Sequence, residues 1–327
     1  EKLGNIFVGY TMDRKPVFAR DLKAEGAMAL LLKDAIKPNL VQTLEGNPAI
    51  IHGGPFANIA QGTNTIIATK MGMSLADYVV TEAGFGADLG AEKFLNIKCQ
   101  SAGLKPKAMV LVATVRALRH HGGAPKEEYN TASLERVKRG IENLEKHIEN
   151  AKKFGLNPVV SINHFTTDTG EEVNFIIERC AALGVKAVLA TGWADGGKGT
   201  EALAQAVIDE IEGGQNEFTP LYSWDEAVKT KIERIAKEIY GADGVDYSKK
   251  AIADLKMIED LGMSALPVCM AKTQKSFSDN EALIGRPRGF RISVREFEIA
   301  RGAGFIIPIL GVMMRMPGLP ATPASEG

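Results

Sequence analysis

The sequence predicts an α/β protein with a mostly parallel sheet flanked by helices. Short β-branched apolar runs recur along the chain, and each is followed by turn residues and a longer segment with helical spacing. The runs are continuously apolar rather than alternating, which is typical of strands covered on both faces. The order strand, helix, strand favours parallel pairing. The runs lie at residues 49–51, 78–81, 108–114, 158–163 and 187–191.

A strand is also predicted over residues 5–10, near the start of the chain. The clearest helix begins near Asn130, and Gly155 follows it as a stop. Its apolar residues step by three and four along one face: Leu134, Val137, Ile141, Leu144, Ile148 and Ala151. The polar residues between them, including Lys146 and His147, predict a solvated face.

The composition shifts at residues 213–216, where two glycines precede Gln215 and Asn216. Two helices are predicted beyond this point, at about residues 224–240 and 249–261, followed by strand-like segments at 266–270, 290–294 and 305–310. The predicted divisions of the chain are therefore residues 1–150, 151–214 and 215–327.

Composition excludes several classes of function. The 327 residues carry a formal net charge of −1, which supplies no field for binding nucleic acid or anionic lipid. No apolar run reaches the roughly 18–20 residues that span a membrane. The 3 cysteines show no zinc-binding or disulfide spacing, so a reducing, cytoplasmic setting is expected. A strand-like segment starts within a few residues of Glu1, so we expect that the chain begins inside a longer protein.

Ligands of open parallel sheets bind at the carboxyl ends of the strands, and aromatic residues follow two of these ends. Phe165 and Trp193 lie in polar, glycine-rich segments instead of apolar runs. If their strands are neighbours, the two rings could hold a planar heterocycle between them. The alternative is that both rings close loops over the core.

Histidines follow two of the predicted strands. His52 precedes two glycines and could be a general base or an electrostatic catalyst, or else a histidine whose hydrogen bonds are satisfied within the fold. His120 and His121 are adjacent and point in different directions, so they do not form a metal site without a third ligand.

Two glycine-rich segments nearly match nucleotide-binding motifs. The spacing in residues 84–90 is one residue too long for a dinucleotide fingerprint, so an anion site at a helix start, a simple turn and a dehydrogenase site remain alternatives. Residues 192–198 open like a P-loop, but Gly199 stands where a Ser or Thr must bind Mg²⁺. The standard lysine-containing phosphate loop is therefore not encoded in these residues.

The segment V-A-T-V-R-A-L-R-H-H-G-G over residues 112–123 resembles a signature of formate–tetrahydrofolate ligases. Further segments are similar to blocks of the same family in the same order, so the resemblance extends over essentially the whole chain. These segments are residues 21–28, 37–45, 52–60, 81–90, 239–245, 271–274, 276–279 and 316–320.

The resemblance implies an ATP-dependent ligase. In this family ATP phosphorylates formate, and N10 of tetrahydrofolate then attacks the formyl phosphate. It implies ATP with Mg²⁺, tetrahydrofolate as substrate, a possible monovalent cation, and a homo-oligomer. It also implies a P-loop NTPase-like large domain, incomplete here because the Walker-type loop is expected upstream of Glu1. Residues 1–150 would be the rest of that domain, 151–214 a pterin-binding subdomain, and 215–327 a C-terminal α+β subdomain.

The resemblance also implies a pterin-binding set of residues. Phe165 and Trp193 match the aromatic pair that holds the pterin, and Leu189 matches a position whose backbone pairs with the pterin edge. Thr166 follows Phe165 where many members have Pro.

For the reaction itself, His52 matches a family histidine and is the predicted catalytic residue. Thr114, Arg116, Gly122 and Gly123 match the signature and are predicted to line the nucleotide side. The alternative to an enzyme is a non-catalytic folate-binding or assembly module.

Overall fold

The computed structural model of the protein describes residues 1–13, 15–54 and 59–311. The family-like block at 316–320 and part of the block at 52–60 lie outside the described residues. The strands are β1 (Phe7–Tyr10), β2 (Pro16–Phe18), β3 (Asn39–Gln42), β4 (Pro48–Ile51), β5 (Val110–Ala113), β6 (Val159–Asn163), β7 (Ala187–Ala190), β8 (Gly244–Tyr247), β9 (Arg291–Ala300) and β10 (Phe305–Leu310).

Helices connect most of these strands, and two α-helices continue directly into π-helical turns, at Phe94–Cys99 and Ile235–Tyr240. The α-helices are α1 (Glu25–Leu31), α2 (Ile66–Leu75), α3 (Gly90–Lys93), α4 (Gln100–Ala102), α5 (Val115–His121), α6 (Leu134–Lys153), α7 (Gly170–Ala182), α8 (Gly192–Asp195), α9 (Glu201–Gly213), α10 (Val228–Arg234) and α11 (Lys249–Asp260). In the part of the chain described here, none of these helices has the length and apolar character needed to cross a membrane.

A three-stranded parallel sheet with the order β5-β6-β7 confirms the predicted α/β class. The β6 residues Val159, Val160 and Ile162 are fully buried, as the continuous apolar run predicts. In the ladder Ala113 pairs with Ile162, and Ile162 pairs with Leu189. The carboxyl ends of all three strands therefore meet at one edge of the sheet.

The helix predicted from the apolar periodicity is α6. It begins at Leu134, where the Ser133 side chain accepts a hydrogen bond from the Arg136 amide, and Gly155 beyond its end has a φ of +73°. The prediction that Lys146 and His147 face solvent is wrong. The Lys146 ammonium is buried and donates to Asn150 Oδ1 at 2.7 Å, and His147 packs on Phe277 with ring centroids 4.6 Å apart. Here α6 has a second buried face, because the C-terminal part of the chain packs on it.

Close contact between α5 and α6 depends on glycine. A Cβ atom at Gly140 would lie 2.0 Å from the Leu118 carbonyl oxygen, and one at Gly122 would lie 1.9 Å from that of Arg136. Real side chains do not tolerate such distances, so each helix presents bare backbone to the other. This contact fixes α5 against α6 at the sheet edge.

Two of the predicted strands differ from the parallel arrangement. Residues 49–51 form part of β4, but β4 pairs antiparallel with β3 in a separate hairpin. The strand predicted over residues 78–81 is not formed, and Val80 is 92% exposed. Within the described residues no neighbouring strand pairs with this segment, and a β-rich run without a partner does not become a strand.

The C-terminal part forms a second sheet of order β10-β9-β8. Of the predicted strands there, 305–310 is β10, 290–294 extends as β9 to Ala300, and 266–270 makes isolated bridges to β10, as at Val268. Its hydrophobic core also contains residues from much earlier in the chain, such as Leu95 and Phe154.

A buried ion cluster connects α5 to the segment between β6 and α7. The Arg119 guanidinium, which is 0% exposed, donates to both carboxylate oxygens of Glu172, at 2.8 and 2.6 Å. It also donates to the carbonyl oxygens of Tyr129 and Thr167, each at 3.0 Å. Thr169 completes a capping box with Glu172 at the start of α7. The bonds to Thr167 and Thr169 thus connect the loop that contains Phe165 to this cluster.

The first prediction concerns Glu172→Gln, which leaves the Arg119 guanidinium buried without its carboxylate. We expect the free energy of unfolding to fall by about 3–5 kcal/mol, as for other buried ion pairs broken on one side. Urea denaturation followed by circular dichroism measures this. The control is Glu135→Gln, whose partner Arg139 is exposed on α6, and we expect it to cost under about 1 kcal/mol.

The same variant gives a pH signature. Burial alone would raise the pKa of Glu172, but hydrogen bonds from Arg119, Ser133 and Thr169 lower it from 4.5 to about 2. A depressed folded-state pKa stabilises the protein above the unfolded value, and this stability is lost as pH falls towards the folded value. The stability gap between wild type and Glu172→Gln should therefore shrink between pH 4.5 and about 2. A gap that stays constant over this range would contradict the assignment.

The second prediction is that Gly140→Ala destabilises the fold by about 1–3 kcal/mol, although alanine is the better helix former, because its methyl group collides with the α5 backbone. Thermal unfolding measures the change. The matched control is Gly213→Ala at the end of α9, where a Cβ meets nothing within 4 Å. We expect that control to be neutral or slightly stabilising, and equal effects at both glycines would refute the steric argument.

Candidate functional site

The carboxyl edge of the β5-β6-β7 sheet brings together most of the predicted site residues. Thr114 follows β5 as the N-cap of α5, Phe165 lies two residues beyond β6, and Trp193 lies in α8 just beyond β7. Since β6 and β7 are adjacent and parallel, the condition for the two aromatic residues to share one crevice is met.

A cavity of about 290 Å³ opens at this edge. This volume is near the lower end of the roughly 300–1,000 Å³ typical of small-molecule pockets. It contains members of both predicted groups, since the nucleotide-side residues Thr114 and Arg116 line it together with the pterin-side Phe165. The complete lining is Thr114, Arg116, Ala117, His120, Tyr129 and Phe165.

Phe165 is held in place by its own loop. Its amide donates to Asp168 Oδ2 at 2.9 Å, and the Asp168 amide donates back to the Phe165 carbonyl oxygen at 2.9 Å. Asp168 in turn lies 4.0 Å from the buried Arg119 guanidinium. The Arg116 guanidinium lies over the ring, 5.1 Å from its centroid, in a cation–π contact. Arg116 therefore covers part of the Phe165 ring.

Trp193 is 87% exposed, an unusual position for the largest apolar side chain. Its ring makes no aromatic contact with Phe165 or with another described ring. A tryptophan that closes a loop over the core would be buried, so this exposure argues against that alternative for Trp193. Trp193 is not one of the residues that line the cavity, and its ring lies exposed beyond β7.

Leu189 presents its backbone at the free edge of β7. The amides of Val160 and His164 donate to the carbonyl oxygens of Lys186 and Ala190. Alternate residues of a parallel strand bond to the same neighbour, so the Leu189 amide and carbonyl point away from β6. No described strand pairs with the other side of β7, which leaves these two groups for a ligand.

Sequence reasoning missed the polar wall of the cavity. The Tyr129 hydroxyl is 2.7 Å from His120 Nδ1. Burial, with a smaller contribution from Lys275, lowers the pKa of His120, so the ring is neutral at pH 7. Tyr129 is separated from the signature motif by a turn, so its place beside His120 has no signal in the sequence.

His52 is fixed by hydrogen bonds within the fold. Nδ1 is 2.8 Å from Thr65 Oγ1, and Nε2 is 2.8 Å from the Ala35 carbonyl oxygen. Its amide donates to Asn64 Oδ1 at 2.9 Å. Both ring nitrogens are therefore occupied, which is the satisfied-histidine alternative, and direct action on a substrate requires one of these bonds to open.

The two glycines predicted on the nucleotide side lie at the end of α5 and are not lining residues of the cavity. Gly122 allows the α5–α6 contact, and Gly123 has a φ of +91°, which favours glycine. The glycines of residues 84–90, the near match to a dinucleotide fingerprint, also have a structural role. A Cβ at Gly90 would lie 1.8 Å from the Gly84 carbonyl oxygen, so this segment is a tight turn.

Within residues 1–13, 15–54 and 59–311, no group of three or more His, Cys, Asp or Glu side chains could hold a metal ion. The Gly192–Lys198 segment also lacks the Ser or Thr hydroxyl of a P-loop.

Comparison with known families identifies the chain. The family model described as formate–tetrahydrofolate ligase matches residues 1–327, and so confirms the resemblance based on the V-A-T-V-R-A-L-R-H-H-G-G segment and the blocks around it. The protein belongs to the formate–tetrahydrofolate ligase family.

Proposed function

We propose that this chain contributes the tetrahydrofolate site to ATP-dependent formylation of tetrahydrofolate at N10, through formyl phosphate. The observation that carries the proposal is the pairing of β6 with β7, which places Phe165 and Trp193 beyond adjacent strand ends. Family membership supports the reaction, and the free Leu189 backbone supports recognition of a pterin edge by hydrogen bonds.

Formyl transfer depends more on the positioning of the reactants than on covalent catalysis by the protein. Formyl transfer requires the amine of the folate to approach the formyl carbon, while the oxyanion and the departing phosphate are stabilised. In this proposal Phe165, Trp193 and Leu189 orient the pterin. That Thr114 and Arg116 line the nucleotide side stays a prediction. Gly122 and Gly123 then act only by shaping the end of α5. A catalytic role of His52 stays a prediction.

We propose that ATP and its Mg²⁺ are bound chiefly by groups that these 327 residues do not encode, since they contain no complete P-loop motif. On this basis the chain alone is a poor catalyst. The second candidate function is a non-catalytic folate-binding or assembly module. A cytoplasmic location, homo-oligomerisation, a monovalent cation and the three divisions at 1–150, 151–214 and 215–327 remain predictions.

The third prediction tests the pterin pair. We expect Phe165→Ala and Trp193→Ala each to weaken folic acid binding by about tenfold, because each removes one stacking contact and its buried area. Isothermal titration calorimetry measures the affinities. The control is Trp224→Phe, because this second tryptophan is half-buried and donates its Nε1 hydrogen to the Asn96 carbonyl oxygen at 3.0 Å, in the interior of the protein.

The control variant has a second use, because Trp193 is then the remaining tryptophan of the chain. We expect its fluorescence to be that of a solvated indole and to change when folic acid is added. Unchanged emission together with unchanged calorimetric affinity in Trp193→Ala would contradict the pterin pair.

The fourth prediction distinguishes the two candidate functions. We expect no measurable ATP-dependent formylation by the purified chain alone, since removing the groups that stabilise phosphoryl charge costs several kcal/mol of transition-state stabilisation. Normal turnover by a sample whose mass matches the 327 residues would contradict this. Adding a separately expressed P-loop-containing segment of a family member should restore activity. Folate binding without restored activity would favour the binding module.

A further inference from the structure

The positive charge of the Arg116 side chain has no carboxylate partner among the described residues. The side chain is half-buried in the cavity wall, yet within the described residues it forms no ion pair, and its recorded contact is the face of Phe165. By contrast, Arg119 on the same helix has Glu172 as a bidentate partner. A guanidinium that lines a cavity and has no carboxylate of its own is typical of an anion site.

The other polar groups of the cavity are donors too. The Thr114 oxygen accepts from the Ala117 amide, so its hydroxyl hydrogen is available. In either tautomer of neutral His120, its hydrogen bond with Tyr129 leaves one hydrogen of the pair available to donate, on Nε2 or on the Tyr129 hydroxyl. No Asp or Glu belongs to the lining. The cavity therefore combines hydrogen-bond donors and one full positive charge with an apolar wall of Ala117 and Phe165.

We propose that this cavity binds the benzoyl-glutamate tail of the folate, with a tail carboxylate paired to Arg116 and the benzoyl ring against Phe165 and Ala117. This inference rests on the proposed function, in which Phe165 also touches the pterin. Phe165 links the two subsites, because it lines the cavity together with Arg116 and also belongs to the proposed pterin pair.

A carboxylate suits the cavity better than a nucleotide phosphate. The lining supplies a single cation, and its planar fork matches a carboxylate in a two-bond geometry. A polyphosphate carries more charge than one half-exposed guanidinium balances. Proteins usually bind it with a lysine-containing loop and a metal ion. The described residues contain neither the motif of such a loop nor a group of three metal-binding side chains. The aromatic lining also fits a benzoyl ring.

The test is a cycle of two ligands and two proteins. Folic acid carries the tail, whereas 6-methylpterin lacks it. We expect Arg116→Gln to weaken folic acid binding by about tenfold and to leave 6-methylpterin binding within about twofold of wild type, because a charge-assisted pair is lost for one ligand only. Arg116→Lys keeps the charge without the fork and should recover part of the affinity. Isothermal titration calorimetry gives all of these values.

Arg139→Gln is the matched control. Its side chain is 60% exposed on α6, and we expect both affinities to stay at the wild-type values. ADP is titrated in parallel to separate the two anion sources. A loss of ADP affinity in Arg116→Gln with folic acid binding unchanged would assign the cavity to the nucleotide and overturn the inference.

Three further outcomes also overturn it. If Arg116→Gln weakens folic acid and 6-methylpterin equally, Arg116 acts through the Phe165 stack and not through the tail. If wild type and Arg116→Gln bind folic acid equally, the tail subsite is absent although the pterin site stands. If wild type binds neither folic acid nor 6-methylpterin, the proposed function fails together with the inference.

Discussion

The buried Arg119 guanidinium is the constraint on which the site depends. It lies on α5, but four of its five N–H hydrogens are directed at groups on other segments: the Glu172 carboxylate at the start of α7, the Thr167 carbonyl oxygen after β6, and the Tyr129 carbonyl oxygen. Taking a charge into the interior costs several kcal/mol unless it is paired, so these segments cannot move apart independently. The positions of Phe165 and of the Tyr129–His120 pair both follow from this single group.

The sequence could predict the sheet edge because periodicity and apolar runs report burial directly. The continuous run at 158–163 becomes the central strand, and the polar residues after it must lie at the carboxyl end. The hairpin of β3 and β4 was missed although Gly46 and Asn47, which are typical turn residues, separate its strands. The run at 78–81 misled because a strand requires a partner, and partners come from elsewhere in the chain.

In the candidate site, too, some residues could be predicted from local sequence, whereas others depend on contacts with distant parts of the chain. Phe165 and Trp193 could be selected from the sequence, because an aromatic residue in a polar loop is out of place unless it binds something. Arg119 is part of the signature motif, but whether an arginine on a helix is buried depends on acids located more than fifty residues away. The second buried face of α6 was missed for a related reason, since Lys146 donates to the Glu238 carbonyl oxygen of a distant segment.

Arg116 and Arg119 show how one short helix performs two tasks. Residues three apart lie on nearly the same face of a helix, about 4.5 Å apart along its axis. The inner arginine meets Glu172 and holds the Phe165 loop, while the outer one covers the Phe165 ring and faces the cavity. Arg119 is paired with the Glu172 carboxylate, whereas Arg116 has no ion-pair partner among the described residues. The proposed anion site therefore uses the arginine whose charge the described part of the fold leaves uncompensated.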